Sequence, residues 1–338
     1  MELKRISVDT SKSTFTLHGI DLQDRAVLRR DFTRRAFEAF MAKQAPTEVA
    51  LEACGGSHHW GRLLTGFGHR VLLIPPQYAK AFVKRGKNDR ADAAAISEAA
   101  GRPDMTVVPV RSAEHQAETM RLSVRDLLIG QRTQLVNTIR GHGAEFGVIA
   151  PKGISNVAGL LAKIAEDTNV PATARQLLSF LGEQLEHLEQ RIAVLDQQLV
   201  EQHKANPTSQ RLAEVPGIGP LSALTLVQTV DFTRFKSGRH FAAWVGLTPS
   251  QHSTAGRTRL GKISKAGNER LRQLLVVGAM AVIRHAKPGK RSASAWLLKL
   301  LEHKPRKLVA VALANKMARI VWAMMTSGEA YRGNPVQG

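Results

Sequence analysis

The sequence predicts an α/β amino-terminal domain, a region of long helices, and a mainly helical, strongly basic carboxy-terminal domain. Three observations carry this expectation. Short β-branched runs alternate with helical stretches over residues 1–110. From Ser112 apolar residues recur at helical spacing over long distances. Beyond Pro207 helical pattern, glycine-rich loops and dense Lys and Arg occur together. The 338 residues are 43% hydrophobic and 22% charged, which suffices for real cores and excludes a disordered or collagen-like chain.

Taken in order, Ile6-Ser-Val-Asp9 is a short strand and Thr14–His18 alternates as its hairpin partner. A helix is expected over Arg35–Lys43, a strand over Val49–Glu52 and a helix over Trp60–Thr65. Val71–Ile74 is a buried strand that Pro75 and Pro76 stop. Asp89–Ala100 reads as a helix and Thr106–Val110 as the last short strand.

Met120, Val124, Leu127, Leu128, Leu135 and Ile139 then mark a long helix that Gly141-His-Gly143 should break. After Pro171, Leu181, Leu185, Leu188, Ile192, Leu195 and Leu199 alternate steps of four and three, the a/d pattern of a coiled coil. That seam suits either an intermolecular coiled coil or an intramolecular hairpin against the first long helix. Asn206-Pro207 ends it. The expected divisions are 1–110, 111–206, 207–327 and a tail over 328–338.

Lys and Arg outnumber Asp and Glu by 48 to 28, a net charge of +20. A field of that size attracts a polyanion. Aromatic residues are only 5%, so phosphate contact is expected to dominate over base stacking. Cys54 is the single cysteine, which excludes an intrachain disulfide and a cysteine zinc cage, and it reads as a small buried filler. The longest nearly unbroken apolar run, Leu274–Ile283, is far short of the roughly 18 residues of a membrane span. No membrane association and an intracellular location are therefore expected.

Four carboxylates stand at positions suited to chemistry. Asp9 follows the first strand, Glu52 ends the strand from Val49, and Asp89 and Asp92 share one helical face. Converging carboxylates repel unless a cation neutralises them, and hard oxygen donors suit Mg²⁺ or Mn²⁺. Two such ions about 4 Å apart clamp the oxygens of phosphoryl transfer. Read singly, Asp89 is an ordinary helix N-terminal acid and Asp92 a partner for Arg90 or a nearby Lys. His58 and His59 point too far apart to share an ion and read as surface or nucleic-acid-facing residues.

Val215-Pro-Gly-Ile-Gly-Pro220, between helical flanks, has the pattern of a helix-hairpin-helix motif, where Gly217 and Gly219 would let backbone N–H groups approach phosphate. An ordinary helix–helix turn is the alternative. The loop from Ser250 to Gly267 sets Ser250, Ser253, Thr254, Thr258 and Ser264 among Arg257, Arg259, Lys262 and Lys265. It reads as a phosphate-gripping loop, with attack on phosphorus by a hydroxyl as the sharper alternative. Basic residues from Arg270 to Lys307 continue the surface.

These segments, in order, resemble the insertion-sequence transposases of the IS110 family, closest to its IS1111 group. The resemblance is carried by Val8-Asp-Thr-Ser-Lys12, Ala50-Leu-Glu-Ala-Cys-Gly55, Asn88-Asp-Arg-Ala-Asp-Ala93, Val215-Pro-Gly-Ile-Gly219, Phe241–Pro249, Ile263-Ser-Lys-Ala-Gly267 and Val311–Arg319. It implies a RuvC-like (ribonuclease H-like) domain whose DEDD set falls on Asp9, Glu52, Asp89 and Asp92. It also implies a coiled-coil region and a transposase domain with a catalytic serine, matched here by Ser253. The segment before that serine is one residue shorter than the family pattern, which leaves Thr254 as the alternative hydroxyl. The further implications are Mg²⁺ (or Mn²⁺), donor and target DNA, a structured non-coding guide RNA that bridges them, a homo-oligomer (dimer or tetramer), and action on the nucleoid in a prokaryotic cytoplasm. The alternatives are a junction-resolvase type of two-metal nuclease using water, and a non-catalytic nucleic-acid-binding protein.

Overall fold

Alternation along the first strand decides the layering of the amino-terminal unit. In β1 (Arg5–Thr10), Ile6 and Val8 point to one face of the sheet and Arg5, Ser7 and Asp9 to the other. The structure, a computed structural model, describes residues 2–83, 88–252, 254, 257, 259–287 and 294–333. It divides into two units, residues 1–117 and 118–338.

The first unit is a five-stranded mixed sheet. β2 (Thr14–Ile20) and β3 (Ala26–Thr33) extend β1 as an antiparallel meander. On its other side β4 (Glu48–Glu52) and β5 (Arg70–Ile74) add parallel strands, so the order is β3-β2-β1-β4-β5. Two helices, α1 (Arg34–Met41) and α2 (Ser57–Gly66), provide the connections around β4. Their apolar residues join Ile6, Val8, Val49 and Leu51 in one core that includes Phe15, Phe37 and Trp60. A short helix α3 (Pro76–Ala79) and then α4 (Asp89–Ala100) follow β5. Ile96 and Ala99 of α4 pack with Ala50, Leu72 and Ile74 in the second core.

Two features differ from the sequence expectation. β3 is an edge strand whose Arg29-Arg30-Asp31 stretch hides its identity, because only Phe32 is buried. Thr106–Val110 is not a strand: it makes one bridge, Val108 to Leu73, and Val110 packs where a Cβ on Gly61 would otherwise stand.

The second unit takes in α5 (Ala113–Glu145) from Glu118 onward, α6 (Val157–Glu166) and α7 (Ala172–Ala205). The α5 helix runs through Gly141-His-Gly143 rather than breaking there. Gly143 is buried, and a Cβ on it would stand 3.1 Å from Ile164. Arg125 pairs with Asp196 and Arg121 donates to Gln202, so α5 and α7 lie antiparallel. The heptad residues Leu185, Leu188, Ile192 and Leu199 are buried within the chain itself, with Leu199 meeting Leu122 and Leu224. Of the two arrangements open to that seam, these positions adopt the intramolecular one.

The remaining helices are α8 (Pro207–Ala213), α9 (Pro220–Thr229), α10 (Gly238–Trp244), α11 (Glu269–Arg284), α12 (Ala295–His303) and α13 (Arg306–Ser327). Between α10 and α11 stands the small hairpin β6 (Pro249–Gln251) and β7 (Leu260–Ile263). Among the described residues α13 is the one helix long and apolar enough, by length and composition alone, to cross a membrane. In the fold its Val309, Ala310, Ala314, Met317, Val321 and Met324 form the centre of the carboxy-terminal core. Gly328 and Tyr331, which fall in the tail expected from 328, pack back on this unit through the Arg211 hydrogen bond and the core.

Candidate metal centre

Three of the four predicted acids meet at the end of β1. Asp9 reaches the α4 face by the alternation of β1, and Asn88 caps α4 by accepting from the Ala91 amide. Asp89 and Asp92 therefore stand in the first turn of α4, over the strand end. Asp9, Asp89 and Asp92 each offer a carboxylate oxygen, and these lie within 4.8 Å of one another. Glu52 ends the neighbouring parallel strand, one step beyond the Val8–Leu51 pair, and lies outside that triad. Its charge is nonetheless felt at Asp9.

Asp9 is half-buried and its carboxyl is pushed up to about 6. Burial is the main cause, followed by the charges of Asp89, Asp92 and Glu52. Among the described residues no Lys or Arg pairs with any of the four. Arg90, the expected partner of Asp92, stands 3.7 Å from Asp31 instead. A set of hard oxygen donors with no cationic partner among the described residues fits a hard divalent cation, with Asp9, Asp89 and Asp92 as the residues able to hold it.

The surroundings revise two sequence expectations. Cys54 is exposed, not buried, and its Sγ lies 3.4 Å from Thr10 Oγ1 at the rim of this strand end. His58 is half-buried. Its Nδ1 accepts from the Arg111 amide, and burial together with Arg111 and Arg62 lowers its pKa. His59 is exposed and rests edge-on against Trp60. On the opposite face of the same sheet end, Lys12 and Arg34 line a cavity of about 320 Å³ with Gly55 and Gly56. Arg34 lies over the rings of Phe15 and Trp60 at 5.6 and 5.3 Å. Arg34 is a candidate that sequence pattern did not single out, because nothing local distinguishes it from Arg35.

The other predicted residues lie in the second unit. Gly217 has φ +90°, and a Cβ there would come 2.8 Å from the Gly278 carbonyl, so close packing on α11 accounts for this glycine. Gly219 is the N-cap of α9, with open space where a Cβ would stand, so its backbone is approachable. Arg257, Arg259, Lys262 and Lys265 are all exposed around the hairpin. Thr254 and Arg257 pair across its end, with backbone hydrogen bonds of 3.3 and 3.0 Å. Ser253 and Thr258 lie outside the described residues.

Comparison with known proteins gives a consistent set of likenesses. Residues 6–143 match a family profile of DEDD type described as a transposase of the IS110 kind. Residues 209–294 match the profile described as the transposase IS116/IS110/IS902 family. The chain is 53% identical over 333 residues to an inferred transposase, y4pF/y4sB, of Sinorhizobium fredii, covering 98% of this chain and 86% of that one. It is 38% identical to the transposase for insertion sequence element IS1111A of Coxiella burnetii, covering 98% and 92%. To the transposase for IS1328 of Yersinia enterocolitica it is 36% identical, covering 96% and 98%.

Proposed function

The chain belongs to the IS116/IS110/IS902 family of insertion-sequence transposases, and we propose that its carboxylate cluster is the cutting centre of a metal-dependent DNA recombinase. The observation that carries this reading is the convergence of Asp9, Asp89 and Asp92 from β1 and α4 without a described cationic partner. The sheet order β3-β2-β1-β4-β5 supports a RuvC-like assignment of the first unit. Glu52 completes the DEDD set from the adjacent strand.

A bound Mg²⁺ or Mn²⁺ supplies Lewis-acid polarisation of a phosphoryl oxygen. The chain's own part is to hold Asp9, Asp89 and Asp92 ionised around one point, with Glu52 on the adjacent strand. Protonation of Asp9 competes with that role, since burial and its neighbours favour its neutral form. Phosphates flanking the cut are gripped by Arg257, Arg259, Lys262 and Lys265, and by the Gly217–Gly219 turn through Gly219. The attacking group is Ser253. Its Oγ–P bond forms as a P–O bond of the DNA backbone breaks, and the hydroxyl proton ends on the departing DNA oxygen. Attack by a strand hydroxyl on the phosphoserine reverses the step and completes exchange. The family resemblance alone implies a structured guide RNA as partner, a homo-oligomer as the working assembly, and action on the nucleoid in the cytoplasm, while the +20 charge supports binding of nucleic acid in general.

The test is adduct trapping on DNA carrying the element ends. Wild type should form a covalent protein–DNA species with Mg²⁺ and none with EDTA. Ser253→Ala should remove the adduct and strand exchange. If Thr254→Ala removes it and Ser253→Ala does not, Thr254 is the nucleophile. Metal-dependent cutting without any adduct would replace this reading with a water-attack nuclease.

A further inference from the structure

The outer face of α13 carries a feature that the cutting centre does not use. One side of this helix forms the core, and the other opens into a groove of about 1180 Å³ between the start of α10, the β6–β7 hairpin and the start of α12. Leu308, Ala312 and Asn315 lie along its α13 side. Arg239, Lys262, Lys316 and Arg319 stand around it, and no acidic side chain lines it among the described residues. None of the four pairs with a described carboxylate. Gly238 sets their spacing: a Cβ there would stand 3.1 Å from the Arg319 backbone, so α10 can lie against α13 and bring Arg239 beside Arg319.

The rest of the lining is largely apolar, with Leu247, Ile263, Val311 and Ile320, and it includes Trp296. Trp296 is 39% exposed, and Lys316 Nζ lies 4.6 Å from its ring centroid. Four unneutralised cations in one groove favour a polyanion. An exposed indole beside them adds nothing for duplex DNA, which presents phosphates outward and keeps its bases stacked inside. A single strand offers both phosphates and free base faces, and stacking platforms inside basic grooves are how such strands are held.

We propose that this groove binds a single DNA strand, with Arg239, Lys262 and Arg319 on its phosphates and Trp296 stacked on a base. The choice of DNA rests on the transposase reading above. Lys316 holds the indole in place through its ring contact. Because Lys262 belongs to β7, a strand in the groove runs directly onto the hairpin that carries Thr254. The groove thereby positions an unpaired strand beside the loop assigned to phosphate attack.

The experiment uses the full chain with EDTA present, so that it does not depend on the carboxylate centre. Binding of a fluorescein-labelled oligo-dT of about 12 nucleotides, within the usual span of a single-strand groove, is followed by anisotropy. Trp296→Ala should weaken it roughly tenfold. Arg319→Gln should weaken it and reduce the salt dependence by about one phosphate contact. Affinity for a blunt duplex should be unchanged by Trp296→Ala. Thermal melting checks each variant, and Lys262→Gln replaces any that fails to fold. Wild-type oligo-dT affinity in both Trp296→Ala and Arg319→Gln overturns the proposal. So does an equal loss of duplex binding in Trp296→Ala, which would remove the stacking role. Tighter binding of oligo-U, with the variants affecting only that ligand, overturns the assignment to DNA. Any of these leaves the metal-dependent cutting test standing on its own.

Discussion

Arg5, at the start of β1, donates a 3.0 Å hydrogen bond from Nη1 to the carbonyl of Ser97 near the end of α4. Its Nε is bonded to Glu48 on the neighbouring strand. Because β1 and α4 run in opposite directions, a contact at this end fixes the other, where Asp89 and Asp92 stand over Asp9. A cation at the last turn of a helix also complements its dipole.

Arg5 is therefore a positioning residue. It is almost fully buried, and Glu48 would keep only the exposed Arg70 as a partner without it. Arg5→Met should lower stability by about 2–3 kcal/mol in urea unfolding, since a partly buried carboxylate loses its main counter-charge. It should also weaken Mn²⁺ binding, although Arg5 touches no carboxylate of the cluster. Unchanged metal affinity in a folded Arg5→Met protein would separate the two ends of α4.

The raised pKa of Asp9 has a defined sign. Unfolded, this carboxyl titrates near 3.8; folded, it titrates at about 6. Between these values the folded state holds more protons, so stability in EDTA should fall as pH rises from 4 to 6. With Asp9 half exposed, solvent screening reduces the effect to about 1 kcal/mol. Asp9→Asn should flatten that part of the urea-unfolding profile. The same slope in Asp9→Asn would assign it to another group.

The buried heptad residues predict a folding defect, not a simple loss of assembly. Leu188 and Ile192 are 3% and 4% exposed within one chain. Leu188→Ala should cost about 2–5 kcal/mol. Changing both residues to Asp should melt the helical unit, as read by circular dichroism. A well-folded monomer from that double variant would mean the seam serves a second chain.

The amino-terminal site was legible because its signals are local. Asp9 at the end of a strand, and Asp89 and Asp92 three residues apart on one helical face, were enough to expect these acids together. β3 was not legible, since an edge strand with one buried side exposes charged residues such as Arg29 and Arg30. The Gly141–Gly143 break failed for a tertiary reason: α6 supplies Ile164 as a contact at Gly143, and that packing offsets the poor helix propensity of glycine. Spacing also could not divide the seam of Leu188 and Ile192 between an internal and an external partner, because both bury the same face. The groove on α13 draws residues from four segments separated along the chain, so no local pattern announces it.

The carboxylates are proposed to serve strand cutting by holding a divalent cation. This role is tested most directly by strand exchange with Asp9→Asn protein in Mg²⁺, run beside Mn²⁺ titration of the same sample. No exchange, weakened Mn²⁺ binding and DNA affinity close to wild type are expected, because one acid changes little of a +20 surface. Exchange at the wild-type rate by Asp9→Asn in Mg²⁺ would contradict this role.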